Sequence, residues 1–285
     1  MKDYLQLCKL RISLFSALSA VMGFLLSADG IGSAIFSMTG GVFVLACGAC
    51  ALNQCQDRET DAIMPRTVGR PLPSGRIKPV NAVYFSAALL FFGSLLLLIE
   101  GNTVPFLLGL FAVVWYNGVY KLLKRQTAFA AVPGALVGAL PPAIGWTAAG
   151  GLLADPRLAF LCFFFFMWQT PHFWLLLLDR GAEYEAAGLP SLTRTFRRAQ
   201  LLRIIFVWTA AAAVSALLIG MKGTVKNPAV NLALCAASVW LVWNVAWLIL
   251  RERADHSIVF RRMNIFALIV MALLAIDGLI RNSTL

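Results

Sequence analysis

Nine apolar runs, each close to the roughly 20 residues needed to cross hydrocarbon, follow one another along the chain with only short polar breaks between them. They lie at about 10–28, 34–56, 80–99, 104–122, 127–148, 157–178, 199–220, 228–250 and 260–280. In lipid every backbone amide must find its partner within its own segment or in a closed barrel, and the two-residue alternation of barrel strands is absent. The expected fold is therefore all-α: a polytopic membrane protein of about nine helices forming one domain over 1–285. With 60% hydrophobic and 13% charged residues, too little polar surface remains for a soluble unit of this size. Lys2, Lys9 and Arg11 ahead of the first run resemble a signal peptide, but that run continues for a full membrane width without a cleavage site and is read as a retained first helix.

The formal net charge of +11 is not spread over a face that could hold nucleic acid. Twenty of the 24 basic residues, all but Arg157, Lys222, Lys226 and Arg281, fall at the N-terminus or after the second, fourth, sixth and eighth runs. Of the 13 acids only Asp29, Glu100, Asp155 and Asp277 lie on the other side, so one end of the bundle carries all the excess charge and the other none. By the positive-inside rule the N-terminus is cytoplasmic and the C-terminus outside, in a cytoplasmic (inner) membrane. The six cysteines imply no disulfide framework, and Cys47-x-x-Cys50 reads as small residues at a close helix contact rather than a metal site. Pro133 and the pair Pro141-Pro142 in the fifth run, and Pro171 in the sixth, predict kinked or opened helices around a central cavity.

The second run ends in Asn53-Gln54-Cys55-Gln56-Asp57-Arg58-Glu59-Thr60-Asp61, followed by Arg66 and Arg70. Charge clustered at a membrane helix end is costly unless it is used. If the helix continues, Asn53, Asp57 and Asp61 lie at i, i+4 and i+8 and drift by only about 40° per step, so they share a face. Oxygen ligands of this kind suit Mg²⁺, which completes its shell with water and phosphate oxygens, and Arg66 and Arg70 are matched to phosphate. The group reads as a diphosphate clamp; the plainer alternative pairs Asp57 with Arg58 or Arg66. After the sixth run Asp179 and Glu183 repeat the i, i+4 spacing on the same end and are candidates for a second Mg²⁺, unless Asp179 pairs with Arg180 or Arg194. Lys124 and Arg125 either extend the clamp or serve only as positive-inside residues. His172 beside Pro171 is either an acceptor contact or a buried hydrogen-bond partner, and His256 a solvated loop residue.

Four ordered motifs carry a family resemblance over roughly half the chain: N-Q-x-x-D-R-x-x-D-A-x-M-x-R-T-x-x-R-P-L at 53–72, Y-N at 116–117 with K-R-x-T at 124–127, G-A-L-P-P-x-I-G-W at 138–146, and W-Q-x-P-H-F-W at 168–174 followed by E-Y-x-x-A-G-L-P at 183–190. They resemble the UbiA superfamily of intramembrane prenyltransferases, most closely its heme-farnesylating branch. That resemblance implies a central cavity opening to the cytoplasmic side and to lipid, with Mg²⁺ as cofactor. It implies farnesyl diphosphate and heme b as substrates, and farnesyl transfer to the 2-vinyl group to give heme O. Handover of the product to a heme A synthase or terminal oxidase assembly would follow. Carried over by position, Asn53, Asp57 and Asp61 hold the metal, with Asp179 and Glu183 at a second site. Arg66, Arg70, Lys124, Arg125, Tyr116, Asn117, Trp168 and His172 contact substrate. The chain departs from the family pattern at Ala182-Glu183, where a lysine and an aspartate are usual, and at Pro190-Ser191-Leu192-Thr193. Two other readings stay open. A quinone-precursor prenyltransferase would keep the clamp and change the surroundings of Trp146, Trp168 and His172. A transporter or heme-carrying subunit would use the charged loops as gates, but the chain lacks the paired repeat of many transporters.

Overall fold

The computed structural model describes residues 1–100, 102–250 and 256–283, without the side chains of Asp179, His256 and 248–250. Among these residues there is no strand, and nine helices are long and apolar enough to cross a membrane. They are α1 (Leu10–Ser27), α2 (Ala34–Gln56), α3 (Pro79–Leu98), α4 (Thr103–Gln126), α5 (Ala131–Ala148), α6 (Pro156–Ala186), α7 (Arg198–Met221), α8 (Pro228–Leu250) and α9 (His256–Ser283). The protein is an integral multi-pass membrane protein. Expected and observed boundaries differ mainly where helices outrun the bilayer. The 31-residue α6 is about 47 Å long against a hydrocarbon core of about 30 Å, so its last turns stand clear of lipid. The polar ends of α4 and α9 likewise extend past the apolar pattern.

Local chemistry sets the helix starts. Asn102 Oδ1 accepts from the Val104 amide at 3.0 Å to open α4, and Asp155 Oδ1 accepts from the Arg157 amide at 2.8 Å ahead of Pro156 in α6. The predicted opening of α5 is found: Ala131–Gly134 and Leu136–Ala148 are separate helical stretches, with Pro141 and Pro142 buried inside the second. By contrast α6 is helical straight through Pro171. One proline costs one backbone bond and some crowding, and the buried Phe164, Phe165, Trp168 and Trp174 hold the helix on both sides of it.

Helices α1, α5 and α6 form the interior, with α2 and α9 packed on α1, α7 and α9 on α6, and α2, α4 and α6 on α5. With no hydrophobic effect between helices in lipid, close approach depends on small residues. A Cβ on Gly23 would stand 2.1 Å from the Pro142 carbonyl oxygen, and one on Gly145 1.8 Å from that of Ala20, so α1 and α5 touch backbone to backbone. The α2–α3 contact works the same way: a Cβ on Gly48 would meet the Leu90 amide nitrogen at 2.9 Å. The free thiols of Cys47 and Cys50 are buried on the side of α2 that faces Cys8 and Ser13. At the end away from the basic loops, buried Asp277 accepts from the amides of Lys226 and Asn227 at 3.2 and 2.8 Å, tying α9 to the start of α8. Arg281 donates to the carbonyls of Leu25, Leu26 and Ala28, closing α9 onto the end of α1.

Gly145→Ala is expected to cost about 3 kcal/mol by forcing two backbones apart, against no change for Gly32→Ala, which has open space around it. Thermal midpoints of the detergent-solubilised variants check this; equal midpoints would show that the α1–α5 contact yields easily.

Candidate functional site

At the end of the bundle that carries the basic loops, the end of α2 holds the acids of the first motif. The helix stops at Gln56, Asp57 takes a bridging conformation (φ −93°, ψ 4°), and a short helix Arg58–Ile63 follows. The hydrogen-bond ladder nonetheless continues, with the Asp57 amide donating to the Asn53 carbonyl at 2.9 Å and the Asp61 amide to that of Asp57 at 2.8 Å. The face predicted for Asn53, Asp57 and Asp61 is therefore kept, and all three line one cavity of about 480 Å³. They are only 7, 7 and 6% exposed.

Each of the three oxygens is held by a different cation. Lys124 Nζ donates to Asp57 Oδ2 at 3.0 Å, Arg70 to Asp61 Oδ2 at 2.6 Å, and Lys9 Nζ to Asn53 Oδ1 at 3.4 Å. The Asn53 amide donates to Asp57 Oδ2 at 3.3 Å, and the Tyr116 hydroxyl donates to Asn53 Oδ1 at 3.3 Å. The plainer pairing of Asp57 with Arg58 or Arg66 is not found: Arg58 contacts its neighbour Glu59, and Arg66 lines the cavity with Arg180. Burial first, then the facing Arg180 and Arg70, lowers the Arg66 pKa. Several cations in one recess thus outnumber the acids that line it with them, which is the electrostatics of an anion site.

Two local devices aim these groups. In α4 the stretch Trp115–Tyr120 is a π-helical turn, a form concentrated at functional sites. It presents Tyr116, Tyr120 and, one turn on, Lys124 to the cavity, with the Tyr116 and Tyr120 rings stacked at 5.9 Å. Asn117 anchors that turn to α2, its amide donating to the Ala49 carbonyl at 3.0 Å while its own carbonyl accepts from Gln56 at the same distance. The second device is Lys9, the one non-glycine residue with positive φ among those described (φ 44°, ψ 55°), a conformation that costs about 1 kcal/mol or more. Burial lowers its pKa. Gln54 completes the joint, its amide donating to the carbonyls of Leu7 and Gln6 at 2.8 and 3.3 Å.

The remaining wall comes from α6. Phe173, Arg180 and Tyr184 line both the main cavity and a crevice of about 130 Å³ that continues it past Thr127 and Ala131. Tyr120 stacks on Phe173 at 6.3 Å, and Lys124 lies 5.9 Å from the centre of the Tyr184 ring. Glu183 is next to this wall, and its Oε2 is buried with no hydrogen-bond partner, an orphan that a cation would satisfy. Asp179 lies in α6, but its side chain is outside the described residues, as is that of His256. Among the described residues no three His, Cys, Asp or Glu side chains form a ready-made metal cage. Hard oxygens facing a shared recess, together with the Glu183 orphan, fit an ion that takes most of its ligands from water and phosphate.

Not every expected residue reaches the cavity. Arg125 is exposed and Asn117 is buried in the α2–α4 contact. Trp168 and His172 face α9: the Trp168 ring nitrogen donates to the Met263 carbonyl at 2.9 Å, and His172 lies between Trp168 and Phe260, with ring centres 4.9 and 4.7 Å apart. Lys9, Tyr120 and Arg180 lie outside the motifs, and Gln54, Phe173 and Tyr184, although motif positions, were given no role. Tyr120 carried a signal, lying at i+4 from Tyr116 and i−4 from Lys124.

A model of the UbiA prenyltransferase family matches residues 16–268. The chain is 37% identical over 278 residues to a protoheme IX farnesyltransferase of Oleidesulfovibrio alaskensis, covering 97% of this chain and 96% of the relative. A protein of the same name from Geobacter sulfurreducens is 41% identical over 213 residues, 75% of this chain and 78% of the relative. A UbiA homolog from Archaeoglobus fulgidus solved with DMAPP and Mg²⁺ superposes with a TM-score of 0.72 at 16% identity, covering 99% of this chain and all of that one. A structure described for digeranylgeranylglyceryl phosphate synthase in membranes gives 0.76 at 20% identity, with 97 and 98% covered. Similarity this distant speaks for the fold, while the closer relatives and the family model speak for kinship: the chain belongs to the UbiA prenyltransferase family and is a membrane-embedded prenyltransferase.

Proposed function

We propose that the protein transfers a farnesyl group from farnesyl diphosphate to the 2-vinyl group of heme b, giving heme O. The observation that carries the diphosphate half is the pairing of Asn53, Asp57 and Asp61 with Lys9, Lys124 and Arg70 around one recess, backed by Arg66 and Arg180. The heme half rests on the named relatives and on the aromatic wall of Tyr120, Phe173 and Tyr184. Asn53, Asp57 and Asp61 would hold Mg²⁺, with Glu183 and Asp179 as candidates for a second ion. When bound, Mg²⁺ neutralises the diphosphate and improves it as a leaving group.

The chain's own residues account for the rest. Arg66, Arg70, Lys124 and Arg180 take up the charge that grows on the diphosphate as the C1–O bond breaks with its electron pair on oxygen. Tyr116, Tyr120 and Phe173 line the recess as aromatic neighbours of the allylic cation. The terminal vinyl carbon then bonds to C1, water adds to the porphyrin-side cation, and a proton is released. The crevice of about 130 Å³ past Thr127 and Ala131 has room for part of a prenyl chain and is too small for a macrocycle. In this reading the cavity opens to the cytoplasm and the N-terminus is cytoplasmic, which the one-sided distribution of basic loops supports. The product passes to a heme A synthase or terminal oxidase assembly. A quinone precursor or another aromatic acceptor is the second reading, since the clamp itself does not distinguish acceptors.

Incubating the detergent-solubilised protein with heme b, farnesyl diphosphate and Mg²⁺ is expected to yield a farnesylated, hydrated heme by mass spectrometry, and chelating Mg²⁺ to stop it. Product with an aromatic acid and none with heme would replace the heme reading by the second. Asp57→Asn is expected to lower turnover at least about 100-fold at unchanged expression. Near-normal turnover in that variant would remove Asp57 from the clamp.

A further inference from the structure

Lys9 joins the short helix Lys2–Leu7 to α1. Its amide donates to the Gln6 carbonyl at 3.4 Å, and its own carbonyl accepts from the Ile12 amide at 2.9 Å, so one residue ends one helix and begins the next. A left-handed residue after a helix end is ordinarily glycine, which adopts it without strain. Here a long cationic side chain occupies the position, and the geometry aims it inward: Lys9 lines the clamp cavity and its ammonium meets Asn53 Oδ1 at 3.4 Å. The joint is fixed from α2 by Gln54, the residue after Asn53, and at the surface by the 2.9 Å Arg76–Asp3 ion pair.

The three cations on the three side-chain oxygens are not alike. Lys124 and Arg70 face carboxylates, whereas Lys9 is set against a neutral carboxamide oxygen and forms no ion pair with an acid among the described residues. Its charge is therefore the least compensated of the three, and an anion entering the recess gives it a better partner than Asn53 does. Resting on the reading of this recess as a metal–diphosphate clamp, we propose that Lys9 is a further diphosphate-binding residue. Without substrate it occupies the Asn53 oxygen in place of the metal, and it moves to a diphosphate oxygen when metal and diphosphate load together. Mg²⁺ alone must displace Lys9 from Asn53. Diphosphate offers the displaced ammonium a new partner, so each ligand favours the other.

The test measures binding without turnover, using the full chain in detergent and calorimetric titration with Mg²⁺ alone, inorganic diphosphate alone, and each in the presence of the other. The wild type is expected to bind Mg²⁺ about tenfold more tightly when diphosphate is present. Lys9→Asn removes the charge but keeps a residue that tolerates the left-handed conformation. It is expected to bind Mg²⁺ alone more tightly and inorganic diphosphate roughly tenfold more weakly, while Lys9→Arg stays near wild type. A purely structural lysine does not move the two affinities in opposite directions. Affinities for both ligands unchanged in Lys9→Asn, or both weakened together, would overturn the proposal. A wild type that binds neither ligand would overturn the clamp reading and this proposal with it. Opposite shifts in a protein that prenylates an acceptor other than heme would support Lys9 and remove only the acceptor.

Discussion

Two carboxylates buried at the end of a membrane helix are tolerable only when each is held against a cation, and the site end of this molecule is organised by that requirement. Asp57 is paired with Lys124 of α4, 67 residues away, and Asp61 with Arg70 from the loop that follows it. The Asp57–Lys124 pair also ties α4 to the end of α2, a contact that the Asn117–Ala49 hydrogen bond and the π-helical turn then lock. Removing one member of such a pair leaves the other charged and buried, so positions proposed to bind substrate also hold the fold together locally. Loss of activity and loss of local order are therefore expected to be linked at Asp57 and Lys124 more closely than at Arg66 or Arg180, for which the described residues show no ion pair.

The nine spans were legible because hydrocarbon thickness imposes length on them, and the first motif because charges at a helix end are rare enough to stand out. The i, i+4, i+8 geometry of Asn53, Asp57 and Asp61 survived a change of helix at Asp57 because the backbone ladder continues through it. What was not legible depended on tertiary contacts. Nothing in Trp115-Tyr116-Asn117-Gly118 announces a π-helical turn, which exists because Asn117 reaches α2. Lys9 looked like one more positive-inside residue because strain is invisible in sequence. Trp168 and His172 face α9 rather than the clamp, and a helix apolar on every side offers no moment to say which face points inward.

Proline and glycine play opposite parts in the interior. The Pro141-Pro142 pair lies inside α5, yet Pro142 supplies the carbonyl against which Gly23 of α1 packs. A residue that weakens one helix thereby forms the floor of a contact with another. Around this backbone-to-backbone seam the larger side chains, Trp146, Phe164 and Phe165, fill the space that close approach leaves, all of them fully buried.

The grip of Arg281 on the carbonyls at the end of α1 spans 255 residues to Leu26. Those carbonyls are orphans of the helix end, and during synthesis they stay without this partner until the last helix has entered the membrane. The first helix is thus made early but finished late, and the bundle is sealed where its two ends meet. A chain interrupted before α9 would have a first helix whose far end lacks this partner.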